Sequence, residues 1–490
     1  MDILWWTQFS RKSRFMLLDK TIRELAQGLQ KKEFSSVDLV EECYRIIGEF
    51  NSEINAFTTV IDKSATLKNA QKKDAERTTS SSPLHGLPFI LKDTYNTKGI
   101  LTSAASHVLN GHISQYNATV YQKLLNAGAI LIGKMNMDAW GHGATSENTD
   151  YKPVKNPYDT GRVAGGSSGG NAAAIAARMG AFGIGEDTGG SIRNPSAWNN
   201  ITGLKVTYGR VSRYGCIAYA SSFDTVGPMA KTVEDCAIVL ETIAGVDKLD
   251  ATSSPEPVPH YSKDLTHVSK DIVIGLPKEC FRDGLDPEIK ESTETAIKKL
   301  ESLGFRIKEI SMPMLTYGLA VYYLIAPSET SSNLGRYDGI RYGLGREYFT
   351  PETRRRIMIG TYSLSAGYYD AYYKKAQQGR TLFIKEYEKA FTQCDVLLMP
   401  VTSHPPTKLG KVVDDPMQNL LIDIYTVTQN PVGVPSLALP CGFTSAGLPI
   451  GMQLVGKMFT ESLLFQVGHA YQQVTSWHTR RPSLLNKMSF

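Results

Sequence analysis

The sequence predicts a layered α/β fold. Short apolar runs of strand type recur along it, at 88–92, 129–134, 271–277 and 395–400. Between them lie stretches with helical periodicity or high helix propensity, and elements that alternate in this way build a sheet with helices packed against it. No internal repeat, low-complexity tract or obvious linker divides the 490 residues; the nearest thing to a linker is the Ser/Pro-containing stretch 252–267. One large domain over 16–490 is therefore expected.

The elements follow in order. Residues 1–15 are expected to be an unstructured tail: their few apolar residues precede the basic ones, the wrong order for a secretory signal. A short organellar presequence is the alternative. Residues 20–50 read as helical, with Ser35-Ser36-Val37-Asp38 as a capping box ahead of the apolar stripe Leu39, Val40, Cys43, Ile46 and Ile47. An exposed helix rich in Lys, Asp and Ala is expected over 62–77. The run Pro88-Phe89-Ile90-Leu91 reads as a buried strand, which puts Lys92 at its end. A helix over 117–127 and a strand over 129–134 come next. The Ala-rich run 171–179 should be a helix whose amino end points back at a glycine loop. A short strand over 181–185 then leads into a second glycine turn. Further on, a strand is expected over 271–277, an amphipathic helix over 287–303 and a buried strand over 395–400.

The chemistry concentrates around the two glycine segments. Gly165-Gly166-Ser167-Ser168-Gly169-Gly170 is followed by Asp187-Thr188-Gly189-Gly190-Ser191-Ile192-Arg193, and Lys92 lies upstream. Serine is a poor nucleophile until a base takes its proton, and a desolvated, neutral lysine can be that base. Glycines beside a serine let the backbone turn tightly and present N–H groups to a developing oxyanion. A phosphate cradle is the competing reading of the glycines, but neither G-x-x-x-x-G-K-[ST] nor a strand-following G-x-G-x-x-G is present.

Composition excludes several classes. A hydrophobic share of 42% and a charged share of 21% describe an ordinary globular chain. The net charge of +5 is small for this length and its lysines and arginines are dispersed, too weak a signal to argue by itself for nucleic-acid binding. Six cysteines without a C-x-x-C pair read as small core residues in a reduced compartment, and nine histidines without an H-x-x-x-H pair give no metal site. No apolar run is long enough to span a membrane.

Lys92, Ser167 and Ser191, with the glycine motifs around them, resemble the amidase signature family. That resemblance implies a central mixed β-sheet covered by helices on both faces, with a catalytic core at about 80–235. It implies that Ser191 is the nucleophile, that Ser167, held in a cis peptide, relays the proton, and that Lys92, kept neutral by burial, accepts it. It also implies an oxyanion hole made by the backbone N–H groups of Thr188, Gly189, Gly190 and Ser191. Asp187 and Arg193 are expected to brace the turn.

Residues 205–229 and the tyrosine-rich segments 322–343, 355–361 and 365–377 resemble one branch of that family, the glutamine-hydrolysing A subunits of tRNA-dependent amidotransferases. The resemblance runs from about 20 to about 470. It implies a pocket for free glutamine in which Arg356 pairs with the α-carboxylate, Asp423 holds the α-ammonium group and Tyr322 adds a contact. It implies B and C partner subunits, of which one carries ATP, Mg and the mischarged tRNA, so that no cofactor is expected on this chain. A cytoplasmic location is expected, an organellar matrix being the alternative. A stand-alone amidase acting on small amides and a non-catalytic scaffold remain the rival readings. Several positions depart from the branch pattern. Ala164 and Val206 stand where prolines are usual, Glu186 where a small residue is usual, Trp198-Asn199-Asn200 where a less polar run is usual, and Pro431 where a leucine is usual. The chain between Gly343 and Phe349 is also shorter by about fifteen residues, a change that surface loops tolerate.

Overall fold

An eleven-stranded mixed sheet organises the computed structural model, which describes residues 16–340, 343–411 and 416–487. The expected tail 1–15 lies outside the described residues.

The first layer of helices is α1 (Ile22–Gln30) and α2 (Ser36–Ile54). The helical stretch expected over 20–50 is thus two helices. Lys32 takes a left-handed φ of 58°, which ends α1, and a second start follows at once. Both helices open on capping boxes, Thr21 with Glu24 and Ser35 with Asp38. Each box satisfies N–H groups that the first turn would leave orphaned. The chain continues through β1 (Phe57–Val60), α3 (Lys63–Glu76), β2 (Pro88–Lys92), α4 (Thr119–Asn126) and β3 (Ile130–Met135). A hairpin of β4 (Lys155–Asn156) and β5 (Asp159–Val163) leads into the first glycine loop and then α5 (Gly169–Ala176). Next come β6 (Phe182–Asp187), α6 (Arg193–Trp198), β7 (Thr202–Lys205), β8 (Thr225–Ala230) and α7 (Val233–Ile243).

The second half holds β9 (Val273–Pro277), α8 (Pro287–Ser302), β10 (Arg306–Ile310), α9 (Gly318–Asn333), α10 (Pro351–Leu364) and α11 (Lys375–Ala390). It ends with β11 (Val396–Pro400), α12 (Pro416–Ile422), α13 (Gln429–Val432), β12 (Ser436–Phe443), β13 (Pro449–Gly456) and α14 (Glu461–Gln473). The strand order is β1-β3-β2-β6-β8-β7-β12-β13-β11-β9-β10. The pairs β3/β2, β2/β6, β11/β9 and β9/β10 are parallel and the remaining neighbours antiparallel.

Every residue of β2, β3, β6, β7 and β8 is buried, as strands covered on both faces must be, whereas the edge strands β1 and β10 are partly exposed. The stretch 252–267 is no linker. Tyr261 and Leu265 are buried in the main core, and Arg210 Nη1 donates to the carbonyls of Glu256 and Pro257. Of the cysteines, all free, five are buried and Cys216 is partly so. No helix among the described residues is long and apolar enough to cross a membrane.

Candidate active site

Strand direction brings the site together. β2 and β6 are parallel neighbours, so Lys92, the last residue of one, and Asp187, the last of the other, emerge at the same edge of the sheet. Carboxyl ends of parallel strands are where such sheets leave a crevice. The glycine loop before α5 and the turn between β6 and α6 close over that edge, and the N–H of Ser168 donates to the carbonyl of Ser191 at 3.0 Å. Lys92 and Ser167 are fully buried and Ser191 is 7% exposed.

Lys92 Nζ lies 2.7 Å from Ser167 Oγ, and the Gly166–Ser167 peptide bond is cis. The loop is packed rather than loose: a Cβ on Gly166 would lie 2.0 Å from Asp138 Oδ2. Asp138 in turn accepts from the N–H groups of Ser146 and Asn148. Burial pushes its carboxyl up to about 7. A hydrogen bond between Ser191 Oγ and Ser167 is not among those of the described residues; the two loops are joined through the backbones of Ser168 and Ser191.

The second turn is braced from within. Arg193 grips Asp187 with Nε to Oδ2 at 3.1 Å and Nη2 to Oδ1 at 2.9 Å, both residues fully buried. Burial alone would raise the Asp187 carboxyl, but the Arg193 charge and hydrogen bonds, the Lys205 charge and the Ile192 N–H together outweigh it and hold the group well below the usual carboxylate range. This bracing costs the site one expected donor. The N–H of Gly190 points at Asp187 Oδ1, 2.9 Å away, so Gly190 leaves the oxyanion set. The N–H groups of Thr188, Gly189 and Ser191 engage no protein acceptor among the described residues.

A wall of aromatic and charged side chains faces this turn. A Cβ on Gly189 would lie 2.5 Å from the Tyr322 hydroxyl, which places that ring directly over the turn, stacked on Phe223. Arg356 is buried, 5.4 Å from the centre of the Tyr323 ring. It donates from Nε to Glu352 Oε1 at 2.8 Å and from Nη1 to the Tyr219 hydroxyl at 2.7 Å, leaving Nη2 without a protein acceptor among the described residues. Asp423 accepts from the Tyr323 hydroxyl at 2.9 Å, and its Oδ1 lies 3.4 Å from where a Cβ on Gly190 would sit. Burial pushes the Asp423 carboxyl up to about 7. Arg356 and Asp423 are thus a cation and an acid on one wall. Tyr219, Tyr323 and Glu352 were not singled out in the sequence. Tyr323 adjoins a chosen residue and Glu352 sits one helical turn before Arg356, the only local signals for them. A separate cavity of about 360 Å³, lined by Asp138, Glu147, Asp150, Glu352 and Arg355 among others, lies beside this wall rather than over Ser191.

Lys92 is not solitary. Its Nζ also meets Glu186 twice, the carbonyl at 3.1 Å and Oε2 at 2.9 Å. Burial of a lone amine, the environment expected for Lys92, is replaced by burial against a carboxylate. No group of three or more His, Cys, Asp or Glu among the described residues could hold a metal ion.

The family model for amidases matches residues 38–465. The chain belongs to the amidase family. Within it, the chain is 47% identical to the A subunit of the glutamyl-tRNA(Gln) amidotransferase of Roseiflexus sp. strain RS-1, over 96% of this chain and 99% of that one. It is 46% identical to the same subunit of Geobacillus thermodenitrificans, over 96% of this chain and all of that one. The crystal structure of the corresponding subunit from Thermotoga maritima aligns over 96% of this chain and 98% of its own, at 34% identity and a TM-score of 0.82. A 6-aminohexanoate cyclic dimer hydrolase aligns with a TM-score of 0.86 but at 24% identity, over 96% of this chain and all of its own. The amidase fold therefore does not separate the branches; identity along the chain does.

Several departures from the branch pattern make structural contacts with one another or with the core. Asn199 Nδ2 donates to the carbonyl of Ala164 at 2.6 Å, so two of them meet. Trp198 is buried and donates to Thr402 and His404, and the Pro431 carbonyl accepts from Arg380. Glu186 is the departure that touches Lys92.

Proposed function

We propose that this chain is the glutaminase subunit of a tRNA-dependent amidotransferase, releasing ammonia from free glutamine through an ester on Ser191. The observation that carries the reading is the pairing of Arg356 and Asp423 on the wall facing the Ser191 turn. A planar guanidinium suits an α-carboxylate and a carboxylate suits an α-ammonium, so the two select a free amino acid. A simple aliphatic or aryl amide has no use for either. The names of the relatives at 46–47% identity point the same way.

In this mechanism the side-chain amide of glutamine places its carbonyl oxygen towards the N–H groups of Thr188, Gly189 and Ser191. Ser191 Oγ attacks the carbonyl carbon. Its proton moves to Ser167 Oγ, and the Ser167 proton moves to Lys92 Nζ. The contact between the two serine hydroxyls closes as the substrate seats, as catalytic hydrogen bonds generally tighten on complex formation. Collapse of the tetrahedral adduct breaks the C–N bond. Lys92 returns the proton through Ser167 to the departing nitrogen, which leaves as ammonia. Water then attacks the ester and releases glutamate. Each oxyanion donor is worth roughly 2.7–4 kcal/mol of transition-state stabilisation.

The ammonia passes to a B subunit that activates the mischarged Glu- or Asp-tRNA with ATP and Mg, with a C subunit completing the assembly; this chain needs no cofactor of its own. A cytoplasmic setting fits this role. The test is ammonia release from glutamine by the purified chain with and without its B and C partners. Partner-dependent glutamine hydrolysis is expected. Rapid cleavage of simple amides by the chain alone, with no turnover of glutamine in the complex, would establish the stand-alone amidase instead.

A further inference from the structure

The Glu186 side chain sits where two proton inventories meet. A neutral Lys92 amine has two N–H groups and one lone pair. Its three partners are Ser167 Oγ, the Glu186 carbonyl and Glu186 Oε2. Both Glu186 oxygens can only accept from it if the carboxyl is ionised, so they take the two N–H groups and leave the lone pair facing Ser167. The far oxygen of Glu186 is engaged as well, by the Thr188 hydroxyl, which also lies 2.8 Å from Asp224 Oδ1. Thr188 has one hydroxyl proton and cannot donate to two carboxylates at once. One of the two acids must carry a proton for both contacts to be hydrogen bonds. Asp224 is the one: burial, then the nearby Glu186, push its carboxyl up to about 8. The donors therefore run from Asp224 to Thr188 to Glu186, and from the Lys92 amine to Glu186.

We propose that Glu186 is a positioning residue, held by Thr188 and Asp224, that aims the Lys92 lone pair at Ser167 and sets the pH range in which Ser191 can be activated. The inference rests on the reading of Lys92 as proton acceptor in the proposed mechanism. The other titratable groups facing Glu186 are Tyr95, whose hydroxyl donates to the Gly185 carbonyl, Cys216 from the segment between β7 and β8, and Asp224, which Arg213 faces from that same segment. Burial raises both Tyr95 and Cys216, so these two remain neutral near pH 7. The negative charge next to Lys92 is that of Glu186, whose Oε2 lies 2.9 Å from the Lys92 Nζ.

The experiment follows the rate at which Ser191 of the full chain is phosphonylated by an alkyl fluorophosphonate between pH 5 and 9. In that reaction Ser191 Oγ bonds to phosphorus, fluoride leaves and the hydroxyl proton passes by way of Ser167 to Lys92. Glu186→Gln keeps the shape and removes the charge; it is expected to move the acid-side midpoint down by about one pH unit or more, the scale on which a neighbouring charge acts. Glu186→Ser removes the side-chain acceptor as well. It is expected also to lower the plateau rate by roughly tenfold or more, as misplaced reacting groups do. Profiles for both variants that superimpose on the parent in midpoint and plateau overturn the proposal. Should the Gln variant fail to fold, Thr188→Val decides: it cuts Glu186 from Asp224 and keeps the backbone, and an unshifted profile is again fatal. Glutamine turnover in the complex is a separate reading. A parent that labels normally but releases no ammonia refutes the glutaminase function, and the labelling profile still decides the role of Glu186.

Discussion

A single proton on Asp423 decides whether the proposed pocket can hold an ammonium group. Burial keeps that carboxyl up to about 7, so below this pH the group is neutral and binds the α-ammonium poorly. Glutamine binding should therefore strengthen as pH rises through about 7. The expected result is a KM for glutamine that falls over this range, and a flat profile in Asp423→Asn with a KM raised roughly tenfold or more. A parent KM that does not change with pH contradicts the assignment. The proposed triad makes a blunter prediction. Ser191→Ala and Lys92→Ala should each lose about 10³-fold or more in ammonia release, because groups that act as a unit fail together. Equal thermal unfolding of parent and variants would separate this from misfolding. At this scale the motifs singled out Lys92 and Ser167, which meet at 2.7 Å, and Ser191 on the neighbouring turn, whose proposed part in the reaction the labelling and ammonia assays test. The sequence was silent on Glu186 as a partner of Lys92, which depends on the pairing of β2 with β6, and on Asp224, which comes up beside Thr188 where β6 pairs with β8. It also placed one donor too many in the oxyanion set, since the Gly190 N–H turns to Asp187, a contact that no spacing rule reveals.

Among the elements, α9 and α10 matter most to the pocket, since Tyr322 and Tyr323 ride on one and Arg356 on the other. Their crossing point is Gly360. A Cβ there would lie 1.9 Å from the carbonyl oxygen of Pro327, a backbone atom that cannot swing away. Pro327 has no N–H to give the Tyr323 carbonyl, so the α9 ladder lacks one bond in the turn before this contact. Gly360→Ala must push the two helices apart, with a cost of about 1–3 kcal/mol by the usual scale of overpacking. The expected signature is a raised KM for glutamine with fluorophosphonate labelling of Ser191 little changed, because the triad stands on β2, the glycine loop and the turn after β6. Loss of labelling in parallel with glutamine binding would show that α9 and α10 support the reacting centre too. The strands on either side of the motifs were legible because their apolar runs are short and bounded by glycine. The segments of the helix pair stood out only through the resemblance and not as helices: α9 is apolar on all sides over its first half, polar over its last turn, and carries a proline, which blurs its period. The division of 20–50 into two helices escaped for a different reason, since Lys32 adopts a conformation that lysine rarely takes.

Across the whole molecule, the Arg193 guanidinium is where the two halves of the sheet are tied. Besides Asp187 from β6, it donates to Gln429 and Asn430 of α13 and to Gln453 of β13, all buried. A mixed sheet was expected only from the resemblance, and its eleven strands and their order were not expected at all, because strand order is a long-range property that local patterning does not encode. The hub is the physical reason that the Asp187–Arg193 segment is at once part of the site and part of the scaffold. Removing the cation strands a buried carboxylate, and breaking such a pair from one side costs about 3–5 kcal/mol. Arg193→Met should lower stability by that amount at pH 7. The pH dependence fixes the cause. Arg193 depresses the Asp187 carboxyl in the folded chain, so the pair contributes fully above the unfolded value of about 3.9 and less as pH falls through the folded one. Asp138, Asp224 and Asp423 have the opposite sign. Burial raises them to about 7, 8 and 7, so the folded chain keeps protons that the unfolded chain gives up, and their contribution falls as pH rises from about 4 to 8. Those three titrate in both parent and variant, so the difference between the two isolates Asp187. Urea unfolding midpoints should differ most at pH 7 and draw together as pH falls from there, because the stranded carboxylate, which burial raises once the cation is gone, takes up its proton above pH 4 while the parent carboxyl stays ionised. A gap that stays constant from pH 7 to pH 3 would mean that Arg193 holds the sheet through its amide contacts alone.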